Sequence, residues 1–146
     1  MRDRADVDRL KSELDATKEV VVVGAGYIGL EAASVLRKKD KKVTVLEMQP
    51  RVLSRVAGPD LARVFEAEHR GHGVDLRFGV QVDAIEEKDG KASGVRLATG
   101  EVIPADMVIV GIGIAAAVEP LLAAGAKGDD GVLVDLHGKT SLADVH

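Results

Sequence analysis

The sequence predicts an α/β chain in three layers, with a parallel central sheet and an antiparallel β-meander in place of one crossover helix. Three observations predict it. Apolar runs rich in β-branched residues and too short for helices (Val20 to Val23, Val43 to Leu46, Met107 to Val110) have the character of strands buried on both faces. Segments of helical period stand between the first two runs and again after the second. Further on, where another crossover helix would belong, short alternating runs are separated by Asp89-Gly90 and Thr99-Gly100, which read as hairpin turns.

Taken in order, residues 2–15 are charged but carry Val7, Leu10 and Leu14 at the spacing of an amphipathic helix, and residues 16–18 link it to the first strand. Val20 to Val23 is followed at once by Gly24-Ala25-Gly26-Tyr27-Ile28-Gly29 and then by a helical pattern with Ile28, Ala32, Val35 and Leu36 on one face. That helix ends at Lys38-Lys39-Asp40-Lys41-Lys42, where no glycine is available for a left-handed turn, so Asp40 or a lysine must supply it. The lysines suit the negative end of a helix dipole and read as a solvated terminus. The second strand ends on Glu47.

A lone G-x-G-x-x-G is weak, but here a strand precedes it, a helix follows it and an acid stands about 20 residues on, the Rossmann-like dinucleotide context. Each glycine has a physical task. Gly24 permits the tight turn out of the strand, Gly26 lets a pyrophosphate approach bare backbone, and Gly29 lets the helix pack closely on the strand. The free N–H groups and the dipole of the first helical turn favour an anion there. Glu47 suits the two hydroxyls of an adenosine ribose and would repel a 2′-phosphate, which favours NAD over NADP.

The loop from Met48 to Arg55 offers Arg51 and Arg55 as candidates for the adenine side or the phosphates, although either suits an ordinary surface. Pro59-Asp60 starts another helix bearing Leu61, Val64, Phe65 and His69, which stops at Gly71-His72-Gly73. His69 and His72 are spaced for a metal but lack supporting carboxylates, so no metal site is expected. Val74 to Phe78 reads as a third parallel strand, the meander covers Val80 to Ile103, and Met107 to Val110 ends at Gly111-Ile112-Gly113, beside the crevice where a cofactor should lie. Glu119 to Ala124 reads as a short helix and Val132 to Asp135 as a strand. The last residues run on without a closing element, as in a piece cut from a longer chain.

With 146 residues the chain is long enough for one domain with a sizeable core. A net charge of −4 argues against nucleic-acid or anionic-membrane partners, and the absence of tryptophan argues against a base-stacking surface. No apolar run is long enough to span a bilayer and the N-terminus is charged, so a cytoplasmic protein is the expectation. Without cysteine the chain has no thiol or disulfide chemistry of its own.

These residues together resemble the NAD-binding domain of FAD-dependent pyridine nucleotide reductases of the glutathione-reductase type. They are most similar to the ferredoxin reductases that serve oxygenases. The resemblance is carried by Val21-Val22-Val23-Gly24-Ala25-Gly26-Tyr27-Ile28-Gly29-Leu30-Glu31, by Val43 to Glu47 with Pro50-Arg51-Val52-Leu53, by Gly73 to Arg77, by Pro104 to Val108 and by Gly111-Ile112-Gly113. It implies that Gly26, Tyr27, Ile28 and Gly29 hold the pyrophosphate and that Glu47 holds the ribose. Arg55 and Arg51 would bracket the adenine, Ile112 and Gly113 would line the nicotinamide half, and Glu31 would face the nicotinamide and flavin. It further implies hydride transfer from NADH to FAD, then single-electron transfer to a ferredoxin-type iron–sulfur protein. No catalytic acid, base or nucleophile is required from this chain. Ala115-Ala116-Ala117 stands where such reductases usually carry Pro-Asn. The expected organisation is an N-terminal helix and link over residues 1–17, a dinucleotide-binding core over 18–113, and a C-terminal segment over 114–146 leading toward an FAD domain. On its own the chain should bind NAD(H) without turnover; the alternative is a stand-alone NAD(H)-sensing module.

Overall fold

The computed structural model describes residues 3–146, so the expected helix start at Arg2 lies outside the described residues. The chain divides into two compact units, one ending at Ile112 and one running from Gly113 to His146. In the first, helix α1 (Arg4–Leu14) is capped by Asp3, whose carboxylate accepts the Asp6 N–H at 2.9 Å, satisfying one donor that a helix start leaves unpaired. Leu10 and Leu14 pack on the core while the charges of α1 face solvent.

Strand β1 (Glu19–Val23) pairs in parallel with β2 (Lys42–Glu47) on one side and β7 (Met107–Val110) on the other, and β2 pairs in parallel with β3 (Asp75–Phe78). The order is β3-β2-β1-β7. The chain therefore leaves β1 toward one side and later returns on the other, so the switch in strand order falls between β1 and β7.

The period of two in the strands divides their apolar residues between two cores. Val20, Val22, Val43 and Val45 face helices α2 (Tyr27–Lys38) and α3 (Pro59–Gly71), joining Leu30, Ala33, Leu36 and Ala62. Val21 and Leu46 face the other way, onto Val95, Leu97, Ile103 and Ala105. Those residues belong to, or directly follow, the antiparallel meander β4 (Val82–Lys88), β5 (Lys91–Leu97) and β6 (Val102–Pro104). The three layers are thus helices, parallel sheet and meander, as expected. Asp89 (φ 54°) and Gly90 (φ 76°) are both left-handed, the type I′ geometry whose twist matches a two-residue hairpin. Asp40, with φ 57°, supplies the turn between α2 and β2 that lacks a glycine.

Two helix faces differ from those expected. On α2 the buried residues are Gly29, Leu30, Ala33 and Leu36, while Ile28 and Val35 are 64% and 48% exposed. Gly29 sets that rotation: a Cβ there would lie 2.0 Å from the Gly24 carbonyl oxygen, so only this edge of the helix can approach the strand so closely. On α3 the small residue Ala62 makes the buried contact, and Leu61 and Val64 stay exposed. A small side chain at the contact lets the helix axis come close and leaves its larger neighbours on the flanks.

Asp106 ties the opposite end of the sheet together. Its Oδ2 accepts the backbone N–H groups of Lys18 at 2.8 Å and Glu19 at 2.9 Å, and its own N–H donates to the Glu19 carbonyl at 2.9 Å. The hydrogen bonds from Glu19 and Lys18 hold the Asp106 carboxyl below the usual aspartate range. A lowered folded pKa means that this stabilisation is complete above the ordinary aspartate pKa and is lost as pH falls through the folded value. Asp106→Asn should therefore lower stability at neutral pH by about 1 kcal/mol at most, since the site is exposed. Urea unfolding of both proteins should show the difference shrinking on acidification; a constant difference would remove Asp106 from the acid response.

The second unit holds a short helix α4 (Glu119–Ala123), followed by Gly125 at φ 95°. A two-residue antiparallel pair, β8 (Gly128–Asp129) and β9 (Gly131–Val132), follows. The strand expected over Val132 to Asp135 does not form beyond Val132. Leu133 and Val134 are exposed, and Asp135 accepts the N–H groups of His137 at 2.8 Å and Lys139 at 3.0 Å. Val132 pairs with Gly128, but β8 is only two residues long, so beyond it the apolar run yields to the aspartate-centred turn.

Candidate functional site

The carboxyl ends of β1, β2 and β7 converge on the glycine segment. The register sets Val23 beside Leu46 and Val110, so Gly24, Glu47 and Gly111 leave the sheet at the same level. The Gly24 N–H donates to the Leu46 carbonyl at 2.7 Å and the Gly111 N–H to the Val23 carbonyl at 2.8 Å. Gly24 has φ 103°, and a Cβ on it would lie 2.5 Å from the Gly111 oxygen. Glycine is therefore required there twice over, by backbone conformation and by the approach of β7.

Gly26 is the N-cap of α2, in an extended conformation (φ −79°, ψ −174°), and no side chain caps the helix. A Cβ on Gly26 would meet nothing within 4 Å, so the space before the helix is open. The N–H groups of Tyr27, Ile28 and Gly29 are those an α-helix leaves without an internal acceptor. The first turn of α2 carries no acidic residue, whereas those of α1, α3 and α4 carry Asp6, Asp60 and Glu119. Among the described helices, α2 alone thus combines an open corner with a first turn free of negative charge, which suits a dianionic phosphate group.

Glu47 stands directly against this corner. Its Oε2 accepts the Ala25 N–H at 2.7 Å and its Oε1 accepts the Gln49 N–H at 2.8 Å. An ionised carboxylate has about four lone-pair positions, so each oxygen keeps acceptor capacity for a ribose hydroxyl. An open helix N-terminus and a carboxylate with spare acceptor capacity therefore adjoin on one side of the sheet, and the residues present fit a dinucleotide.

The other expected site residues divide. Tyr27, Ile28 and Ile112 are largely exposed near this end of the sheet, and Glu31 is exposed on α2. Arg55 is exposed, with no side-chain hydrogen bond or ion pair among the described residues. Arg51 is different: its guanidinium donates to the carbonyls of Ala57 at 2.7 Å and Ser54 at 3.1 Å, with a longer contact of 3.5 Å to that of Val52. Gly113 opens the second unit, and a Cβ on it would meet nothing within 4 Å. Sequence reasoning missed Ala25, Gln49 and Leu53. Ala25 is wholly buried, and both its backbone groups are held by the segment after β2, the N–H by Glu47 and the carbonyl by the Leu53 N–H at 2.9 Å. The small residue between the first two glycines was the available signal for Ala25, and for Leu53 it was its place in the Pro50 to Leu53 run that carries the resemblance.

His69 and His72 lie on α3 and at its end. Burial, the largest influence, lowers the His69 pKa from its ordinary value. Among the described residues no group of three or more histidines, aspartates or glutamates is placed to hold a metal ion, and no helix is long and apolar enough to cross a membrane.

Comparison with known proteins extends this geometry. The chain is 54% identical, over its whole length, to the 5,5′-dehydrodivanillate O-demethylase ferredoxin reductase subunit of Sphingobium sp. (strain NBRC 103272 / SYK-6), covering 36% of that protein. It is 50% identical to a ferredoxin–NAD(P)(+) reductase of Sphingomonas sp., again over its whole length and covering 35% of that protein. Among solved structures, it superposes on putidaredoxin reductase in its covalent complex with putidaredoxin. The TM-score is 0.86 and the identity 39%, over 96% of this chain and 34% of that one. The chain thus spans about a third of the length of the relatives it matches. The sequence model described as pyridine nucleotide-disulphide oxidoreductase matches residues 1–146. An open glycine corner with an acid hydrogen-bonded to it, and a match along the entire chain, place this protein in the pyridine nucleotide-disulphide oxidoreductase family.

Proposed function

We propose that this chain is the NAD(H)-binding portion of a flavoprotein reductase whose parent delivers electrons from NADH, through FAD, to a ferredoxin-type iron–sulfur protein. The observation that carries the reading is the hydrogen bond from the Ala25 N–H to Glu47, which sets a ribose-reading carboxylate beside the bare Gly26 corner. The names of the ferredoxin and putidaredoxin reductase relatives support the electron acceptor.

In this reading the N–H groups of Tyr27, Ile28 and Gly29 hold the pyrophosphate over Gly26, and Glu47 accepts from the adenosine ribose. Arg55 lies toward the adenine, Gly111 and Ile112 flank the nicotinamide half, and Glu31 on α2 faces the nicotinamide. Bound NADH supplies a hydride, two electrons and a proton in one transfer, to the flavin of the parent enzyme. This chain's residues bind and orient it; none must donate or accept a proton at the reacting carbon.

The test is a calorimetric titration with NADH and with NADPH. The unaltered chain should prefer NADH. Glu47→Arg should weaken NADH about tenfold or more, a loss of about 1.4 kcal/mol, and strengthen NADPH by pairing with its 2′-phosphate. Glu47→Gln, which keeps an amide oxygen as acceptor, separates loss of charge from loss of the loop's hydrogen bonds. An unchanged NADH-to-NADPH ratio in Glu47→Arg would remove Glu47 from the ribose site.

A further inference from the structure

Arg51 was a candidate for direct contact with the nucleotide, but its surroundings assign it different work. The segment after β2 curls around its guanidinium, which donates to Ala57 and Ser54 and more distantly to Val52, while Ser54 Oγ returns a bond to the Arg51 carbonyl at 2.8 Å. At the apex Leu53 has φ 51°, a left-handed conformation that is strained for a residue with a side chain. Something must hold it there. Its side chain is buried beside that of Val52 in the helix-side core, its carbonyl accepts from Val56 and Ala57, and its N–H donates to the Ala25 carbonyl at 2.9 Å. Glu47 holds the N–H of the same residue.

We infer that Arg51 is a positioning residue for the nucleotide corner: it folds the loop that holds Leu53 left-handed, and the Leu53 N–H with the Glu47 carboxylate clamps Ala25, and hence Gly26, in place. The inference rests on the nucleotide reading proposed above. It makes Arg51 a second support of the corner, acting through backbone, where the guanidinium could otherwise have met a phosphate. The choice of arginine follows from the task. A planar fork can donate to several carbonyls at once, and lysine, a single ammonium on a flexible stem, reproduces only part of that.

The test is site-resolved amide hydrogen exchange of the ligand-free chain, combined with NADH titration, for the unaltered protein, Arg51→Gln and Arg51→Lys. In Arg51→Gln the Leu53 and Ala25 amides should exchange about tenfold faster or more, with β1 and β7 amides unchanged, and NADH affinity should fall about tenfold. Arg51→Lys should give intermediate values of both. The affinity loss should persist at high ionic strength, because no guanidinium–phosphate contact is being removed. Faster Leu53 exchange with unchanged affinity would overturn the inference. So would an affinity loss with unchanged exchange, which would return Arg51 to direct contact with the nucleotide. If Arg51→Gln fails to fold, Arg51→Lys carries the same comparison. Failure of the unaltered chain to bind NADH would instead overturn the nucleotide reading, and the exchange data would still decide whether Arg51 holds the loop.

Discussion

Gly26→Val is expected to reduce NADH affinity about a hundredfold or more, roughly 3 kcal/mol, while leaving thermal stability almost unchanged. The two halves of that result have different causes. Valine prefers the extended conformation that Gly26 already adopts, and its Cβ would meet nothing within 4 Å. Valine is a poorer N-cap than glycine, a cost of up to about 1 kcal/mol; replacing glycine where the conformation is compatible returns about 0.4–1 kcal/mol through the unfolded chain. These nearly cancel. Affinity falls because the branched side chain would stand where a phosphate must come within hydrogen-bonding reach of the N–H groups of Tyr27, Ile28 and Gly29. Calorimetric titration beside a thermal melt checks both halves. Retained affinity in a folded Gly26→Val protein would dismiss the phosphate corner.

Gly29→Ala should do the reverse, destabilising the fold itself. In an exposed helix interior this substitution gains about 1 kcal/mol from propensity. Here the new Cβ would lie 2.0 Å from the Gly24 oxygen, 3.1 Å from its carbonyl carbon and 3.3 Å from Val22 Cγ1. The nearest atom is backbone, in a turn already fixed by the positive φ of Gly24 and by the Gly111 carbonyl behind it, so it cannot yield as a flexible side-chain end would. Overpacking commonly costs 1–3 kcal/mol and sometimes more; a backbone collision at this distance belongs at or above the top of that range. A fall in melting temperature of roughly 10 °C is expected. Gly71→Ala, at the last residue of α3 with open space around it, is the control and should not destabilise. If Gly29→Ala melts like the unaltered chain, the close seating of α2 on β1 is not what determines its rotation.

The contrast between these two glycines shows what could be read from the residues alone. Both belong to one motif, whose spacing made the tight turn, the bare corner and the close helix contact legible, because all three are encoded within six neighbouring residues. The meander was legible for the same reason: Asp89-Gly90 is a local signal for a type I′ turn, and both residues adopt it. The buried face of α2 was not. Its periodicity offers Ile28 and Val35 as readily as Leu30 and Ala33, and only the meeting of Gly29 with the Gly24 carbonyl selects the second pair. Arg51 was ambiguous by chemistry, since a guanidinium serves a phosphate or a set of carbonyls equally well. The apolar run Val132 to Val134 needed a longer neighbouring strand than the two-residue β8 that its unit provides.

Short-range preferences in the sequence thus determined most of the succession of strands and helices, the need for a left-handed residue between α2 and β2, and the open glycine corner before α2. Those outcomes depend on a residue and its near neighbours, so any sequence-local reading reaches them. Tertiary structure decided which face of each helix is buried, that Glu47 grips Ala25 from 22 positions away, and that Arg51 is turned inward on its own loop. Each of these depends on which hydrogen-bond donors and steric surfaces meet once the parallel register is set, and that meeting exists only in the folded chain.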